Sequence, residues 1–138
     1  MSLEMHLRIV GAMLLVLAVS HAFYPRRFGW IEELRRLSLF TRQVFVVHCL
    51  FIALFLGLCA MLALFGTRAL LEPTALGKWV AGGLTALWSV RLYAQFFIYE
   101  VRLWRGNRFH TAMHVLFSCI WCYFVGVFGY VCMQQCRG

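Results

Sequence analysis

The sequence predicts an all-α fold: an integral membrane four-helix bundle, up-down-up-down, with a short interfacial helix in the first loop. Three observations predict it. Of the 138 residues, 63% are hydrophobic and only 13% charged, against about 25% charged in an ordinary soluble domain. The charges gather in short clusters between four long apolar runs. Those runs approach the ~20 helical residues that a bilayer core requires. A chain of this length has room for a single transmembrane domain, with helices expected at about 5–24, 44–65, 79–99 and 111–133.

The first run covers residues 9–24 and is short unless its helix begins near Met5, ahead of Arg8. Pro25 should end it, because proline disfavours helical geometry in the residue before it. Ser20-His21-Ala22 is similar to a leader cleavage site, but Glu4 offsets Arg8 and the segment reads as a retained span. In the loop that follows, Ile31, Leu34 and Leu37 recur at helical spacing, with Glu32, Glu33, Arg35 and Arg36 mostly opposite. Glu32 and Arg36 form an i,i+4 pair, and residues 28–40 are expected to lie as a helix in the interface. The second run, 44–65, stops at Gly66; the third is 79–99 and the fourth 111–133. Trp30, Trp79 and Trp104 fall near predicted interfaces, as belt residues do. Trp88 and Trp121 fall deeper and are expected to pack.

The net charge of +8 comes from the loops. Arg26, Arg27, Arg35, Arg36 and Arg42 separate the first two runs, and Arg102, Arg105 and Arg108 the last two; the other side holds only Arg8, Arg68, Lys78 and Arg137. The positive-inside rule puts both arginine-rich loops in the cytoplasm and both termini outside, as in a bacterial inner membrane. No soluble basic patch with interleaved aromatics supports nucleic-acid binding. Of the six cysteines, Cys49, Cys59, Cys119 and Cys122 lie inside apolar runs as small hydrophobes. Only Cys132 and Cys136 are placed to pair.

Polar groups within spans are costly and need a partner or a function. His21, Gln43, His48, Arg91, Gln95, Tyr99, His110 and His114 are such groups. At 1.5 Å per helical residue, His21, His48, Gln95 and His114 lie about 7–10 Å inside the cytoplasmic arginines, on four different helices. Convergence at one depth is how bundles build ligand, metal and cofactor sites. Arg91, Gln95, Tyr99 and Arg102 form one stripe of the third helix, and His110 and His114 share a face of the fourth, continued by Ser118. Every glutamate lies in a loop or at a helix end and there is no aspartate, which argues against a di-iron carboxylate centre. It also leaves Arg91 without an acidic partner, so a bound anion is expected to balance it.

Three readings follow. In the first, His21, His48, His110 and His114 ligate a transition metal (zinc, iron or copper) or haem b, whose propionates meet Arg42 or Arg91. In the second, Arg42, Arg91 and Gln95 grip the head of an anionic lipid or a quinone without metal, His48 or His114 supplies hydrogen bonds or a proton, and Tyr99 completes the cofactor-binding set. In the third, the polar groups only fix helix packing, in an accessory subunit of a larger membrane complex or in a homo-oligomer.

In helix count and helical histidines the chain resembles the bacterial four-helix cytochromes b, which would imply haem between two histidines. Cys119-Ile-Trp-Cys122 resembles the CxxC of the vitamin K epoxide reductase and disulfide-bond oxidase group, but residues 66–78 lack the outer-loop cysteines those enzymes use. Residues 21–26 (HAFYPR), Arg42-Gln43 leading to His48, residues 95–99 (QFFIY), and Trp104-Arg105-Gly106 leading to His114 resemble small, uncharacterised four-span membrane proteins of bacteria. That resemblance imports no activity.

Overall fold

A computed structural model describes residues 2–27 and 29–137, every regular element among them a helix. The order is α1 (Leu3–Ser20), α2 (Tyr24–Arg27), α3 (Trp30–Arg35), α4 (Leu39–Phe65), α5 (Thr67–Leu71), α6 (Ala75–Phe97), a 3-10 turn (Val101–Leu103) and α7 (Arg108–Arg137). Three of these, α1, α4 and α7, are long and apolar enough to cross a membrane. At 23 residues, α6 is about 34 Å long, but Lys78, Ser89, Arg91 and Gln95 dilute its apolar character.

Each long helix begins earlier than its apolar run, because a capping side chain starts it. Ser2 Oγ accepts from Met5 N at 3.3 Å, Ser38 Oγ from Thr41 N at 3.2 Å and Thr74 Oγ1 from Gly77 N at 3.0 Å. Asn107 Oδ1 accepts from both Phe109 N and His110 N, at 3.0 and 3.2 Å. Such caps satisfy backbone donors that a helix start leaves without partners. They carry Arg8, Arg42, Lys78 and Arg108 into the helices.

The end of α1 departs from expectation. The helix stops at Ser20, not at the residue before Pro25. Ser20 Oγ donates to Val16 O at 2.7 Å, and His21 Nδ1 bonds Leu17 O at 2.8 Å, so side chains take the carbonyls of the last turn. Pro25 instead occupies the first turn of α2, where a missing N–H costs nothing. The interfacial helix is also shorter than the expected 28–40. Phe28 lies outside the described residues, α3 has six residues, and Ser38 starts α4. Glu32 pairs with Arg35 at 3.4 Å rather than with Arg36.

The chain forms two compact units, residues 1–67 and 68–138. In the first, α1 packs antiparallel on α4. Leu7, Val10, Gly11, Leu14 and Leu17 are buried on α1, and Leu56, Cys59, Ala60 and Ala63 on α4. The backbones approach closely at Gly11, where a β-carbon would stand 2.7 Å from Leu64 Cγ and 3.1 Å from Ala60 O. Small residues at a helix crossing allow this. At Gly57, one turn from the crossing, a β-carbon would meet nothing within 4 Å.

In the second unit α6 packs antiparallel on α7 over a larger, aromatic core of Leu84, Trp88, Trp121, Phe124, Val127, Phe128 and Val131. Gln135 on α7 is 2% exposed, and its Nε2 donates to Leu70 O of α5. Its amide fills the space beside Gly77, where a β-carbon would stand 2.8 Å from Gln135 Nε2. All six cysteines are free thiols, including Cys132 and Cys136.

Candidate functional site

Four residues expected at a site come together in the second unit, around Gln95. This side chain is 5% exposed, between α6 and α7. Its Oε1 accepts from Arg91 Nη1 at 3.1 Å, one turn earlier on α6, and from Trp121 Nε1 at 3.3 Å on α7. Its Nε2 lies 2.9 Å from His114 Nδ1. The two donors at Oε1 fix which end of the amide is oxygen. Gln95 Nε2–H therefore faces His114, and Nδ1 of that imidazole must accept. The neutral ring then carries its proton on Nε2.

Aromatic rings wall this network. The Arg91 guanidinium carbon lies 4.7 Å from the Trp121 ring centroid and 5.5 Å from that of Tyr99, within cation–π range. Trp104, just past the 3-10 turn, stacks on His114 with centroids 4.4 Å apart and planes at 11°. Trp88 stacks on Trp121, with ring centroids 5.3 Å apart and planes at 9°. Among the described residues Arg91 has no carboxylate partner, and the buried Nε1 atoms of Trp88 and Trp104 have no hydrogen-bond partner. Ser118 donates to His114 O at 2.8 Å. Tyr99 lies beyond the end of α6 and is exposed, yet it stays beside Arg91 because the chain turns there, with Tyr99 N bonded to Ala94 O.

Of the other expected residues, His110 is exposed at the start of α7, its ring 5.8 Å from Phe109. In the first unit, His21 and Arg42 line one cleft between α1, α3 and α4, and His48 is exposed on α4 outside that cleft. The rings of His21 and His48 are held alike: each Nδ1 lies 2.8 Å from the carbonyl four residues earlier, Leu17 O and Val44 O. A carbonyl only accepts, so both rings donate from Nδ1, and in the neutral form the lone pair is on Nε2. Among the described residues no three His, Cys, Asp or Glu side chains gather as a metal site; haem requires fewer protein ligands.

Sequence reasoning missed the tryptophans as members of the network. The signal was present, since Trp121 continues the His114, Ser118 stripe by another turn and Trp88 precedes Arg91 by one. No protein family, curated protein or solved structure matches the chain.

Proposed function

We propose that the chain is a multi-pass membrane protein, a four-helix up-down-up-down bundle with its arginine-rich loops in the cytoplasm, whose α6–α7 hairpin binds the acceptor-bearing head of a membrane ligand. The shared chemistry is oxygen without a proton: the anionic head of a lipid or the carbonyl of a quinone. The observation that carries this reading is the orientation of the Gln95 amide. It consumes the acceptors of the cluster and leaves donors over. These are the remaining N–H groups of Arg91, the His114 Nε2–H, and the indole N–H groups of Trp88 and Trp104. Donors without acceptors call for a ligand that supplies acceptors, and an intramembrane arginine without a carboxylate calls for negative charge or its partial equivalent.

The test is mass spectrometry of lipids and quinones that co-purify in mild detergent, for the native chain and for Arg91→Gln. Losing a charge-assisted hydrogen bond weakens binding about ten- to a hundredfold, so the variant should lose its ligand while staying helical. An anionic lipid or a quinone in the native sample decides between the two sources. Equal loading of the variant would sink the reading. A folded native chain that carries neither would point to a packing role for the cluster in a larger membrane complex.

A second reading keeps a metal or haem on the histidines. It is favoured by the anchored rings of His21 and His48, since metal-ligating imidazoles commonly donate their other N–H to a carbonyl. The hydrogen bond from Gln95 favours His114 as a donor over a ligand. A Soret band, or near-stoichiometric iron, zinc or copper that disappears in the His21→Ala/His48→Ala double variant, would establish this reading. A colourless and metal-free folded protein would remove it.

A further inference from the structure

The first unit contains an apolar cleft and an adjoining apolar helix face that share one cation. The cleft, about 730 Å³, lies between α1, α3 and α4 and is lined by Ala18, Ile31, Leu34, Phe45, Leu50 and Ala53, with Arg35 and Arg42 among its polar residues. Beside it, Leu39, Arg42, Gln43, Val46 and Val47 form one exposed, largely apolar face of α4. Arg42 and Val46 belong to both. The cleft volume falls in the range of ordinary ligand pockets. Arg35 is already paired with Glu32 at 3.4 Å, whereas Arg42 has no ion pair among the described residues. Arg42 also stands in the first turn of α4, where the helix dipole adds positive potential.

A greasy cleft and an adjoining apolar helix face with one unneutralised guanidinium between them match the outline of a two-chain amphiphile with one negative head. We propose that this surface of the first unit binds an anionic diacyl phospholipid, its phosphate on Arg42, one acyl chain in the cleft and the other along the α4 face. Every residue of this site belongs to the first unit, and every residue of the Gln95 cluster to the second.

The experiment measures binding of three probes to the full chain in neutral detergent, by native mass spectrometry and by the shift in thermal unfolding. The probes are dioleoyl phosphatidate, 1-oleoyl lysophosphatidate and dioleoylglycerol. The phosphatidate should bind at least about tenfold tighter than dioleoylglycerol, the scale of one charge-assisted contact. Lysophosphatidate, lacking one chain, should fall between them. All variants are measured in the Arg91→Gln background, which removes the head site proposed for the second hairpin. There Arg42→Gln should bring phosphatidate down to the dioleoylglycerol level, and Ala53→Trp, which fills the cleft, should weaken every probe while helicity is retained. Equal binding of phosphatidate and dioleoylglycerol, or unaltered phosphatidate binding in Arg42→Gln, would overturn the charge assignment. Equal binding of lysophosphatidate and phosphatidate would overturn the two-chain assignment. Loss of all phosphatidate binding in Arg91→Gln alone would move the lipid to the other hairpin.

Discussion

The two hairpins solve helix packing by opposite means. In α1–α4 the helices come close because their facing residues are small: Gly11, Ala60 and Ala63 sit at the crossing, and the buried side chains of α1 are all aliphatic. In α6–α7 the facing residues are large, and aromatic stacking with two buried glutamines, Gln95 and Gln135, sets the register. Close packing of smooth surfaces gives contact energy with little directionality. A buried amide admits few orientations, because each unpaired polar atom is costly. The first hairpin is therefore sensitive to volume and the second to polarity, a contrast that substitutions can probe.

The largest effect is expected at Gln95. Gln95→Leu keeps the volume but strips partners from Trp121 Nε1, Arg91 and His114 Nδ1 together, a loss of about 3 kcal/mol if each contributes near the low end for an unsatisfied buried group. Reversible unfolding in mixed detergent measures it. A loss under about 1 kcal/mol would mean that the aromatic stacking alone holds the second hairpin. Next comes volume in the first hairpin. Gly11→Val should cost about 2 kcal/mol more than Gly57→Val, since both change a helical glycine in the same way but only Gly11 lies against its partner helix. Equal costs would remove the close crossing as a source of stability. The smallest effect is expected from the exposed pair Arg8–Glu4, 2.8 Å apart on α1. Glu4→Ala should change stability by less than about 0.5 kcal/mol, as solvent screens such pairs. A larger loss would show that this end of α1 is not free in water.

Hydropathy made the four long helices legible, because each contains a long apolar run, although Arg91 and Gln95 interrupt the third. It placed their starts late. The physical start signals are Ser38, Thr74 and Asn107, polar residues that precede a cation and so read as loop when apolar content is the only guide. The stripe Arg91, Gln95, Tyr99 was legible from spacing alone, and so was His114 as a partner at matching depth. What spacing does not contain is direction. Whether the Gln95 amide offers oxygen or nitrogen to His114 is decided by Trp121 Nε1, a group on another helix that carries no charge and was read as packing. The same limit applies to His21: its depth is readable, but the bond from its Nδ1 to the Leu17 carbonyl is a matter of ring rotation that spacing does not contain.

The contact between Gly77 and Gln135 also bears on how this protein can change through descent. A side chain at 77 would push the Gln135 amide off Leu70 O, and a smaller residue at 135 would strand that carbonyl while opening space beside Gly77. Either step alone is a loss, and the second relieves the crowding made by the first. Positions 77 and 135, distant along the chain, are in this sense inherited as one character, and lineages that carry a larger residue at the first should have replaced the glutamine at the second.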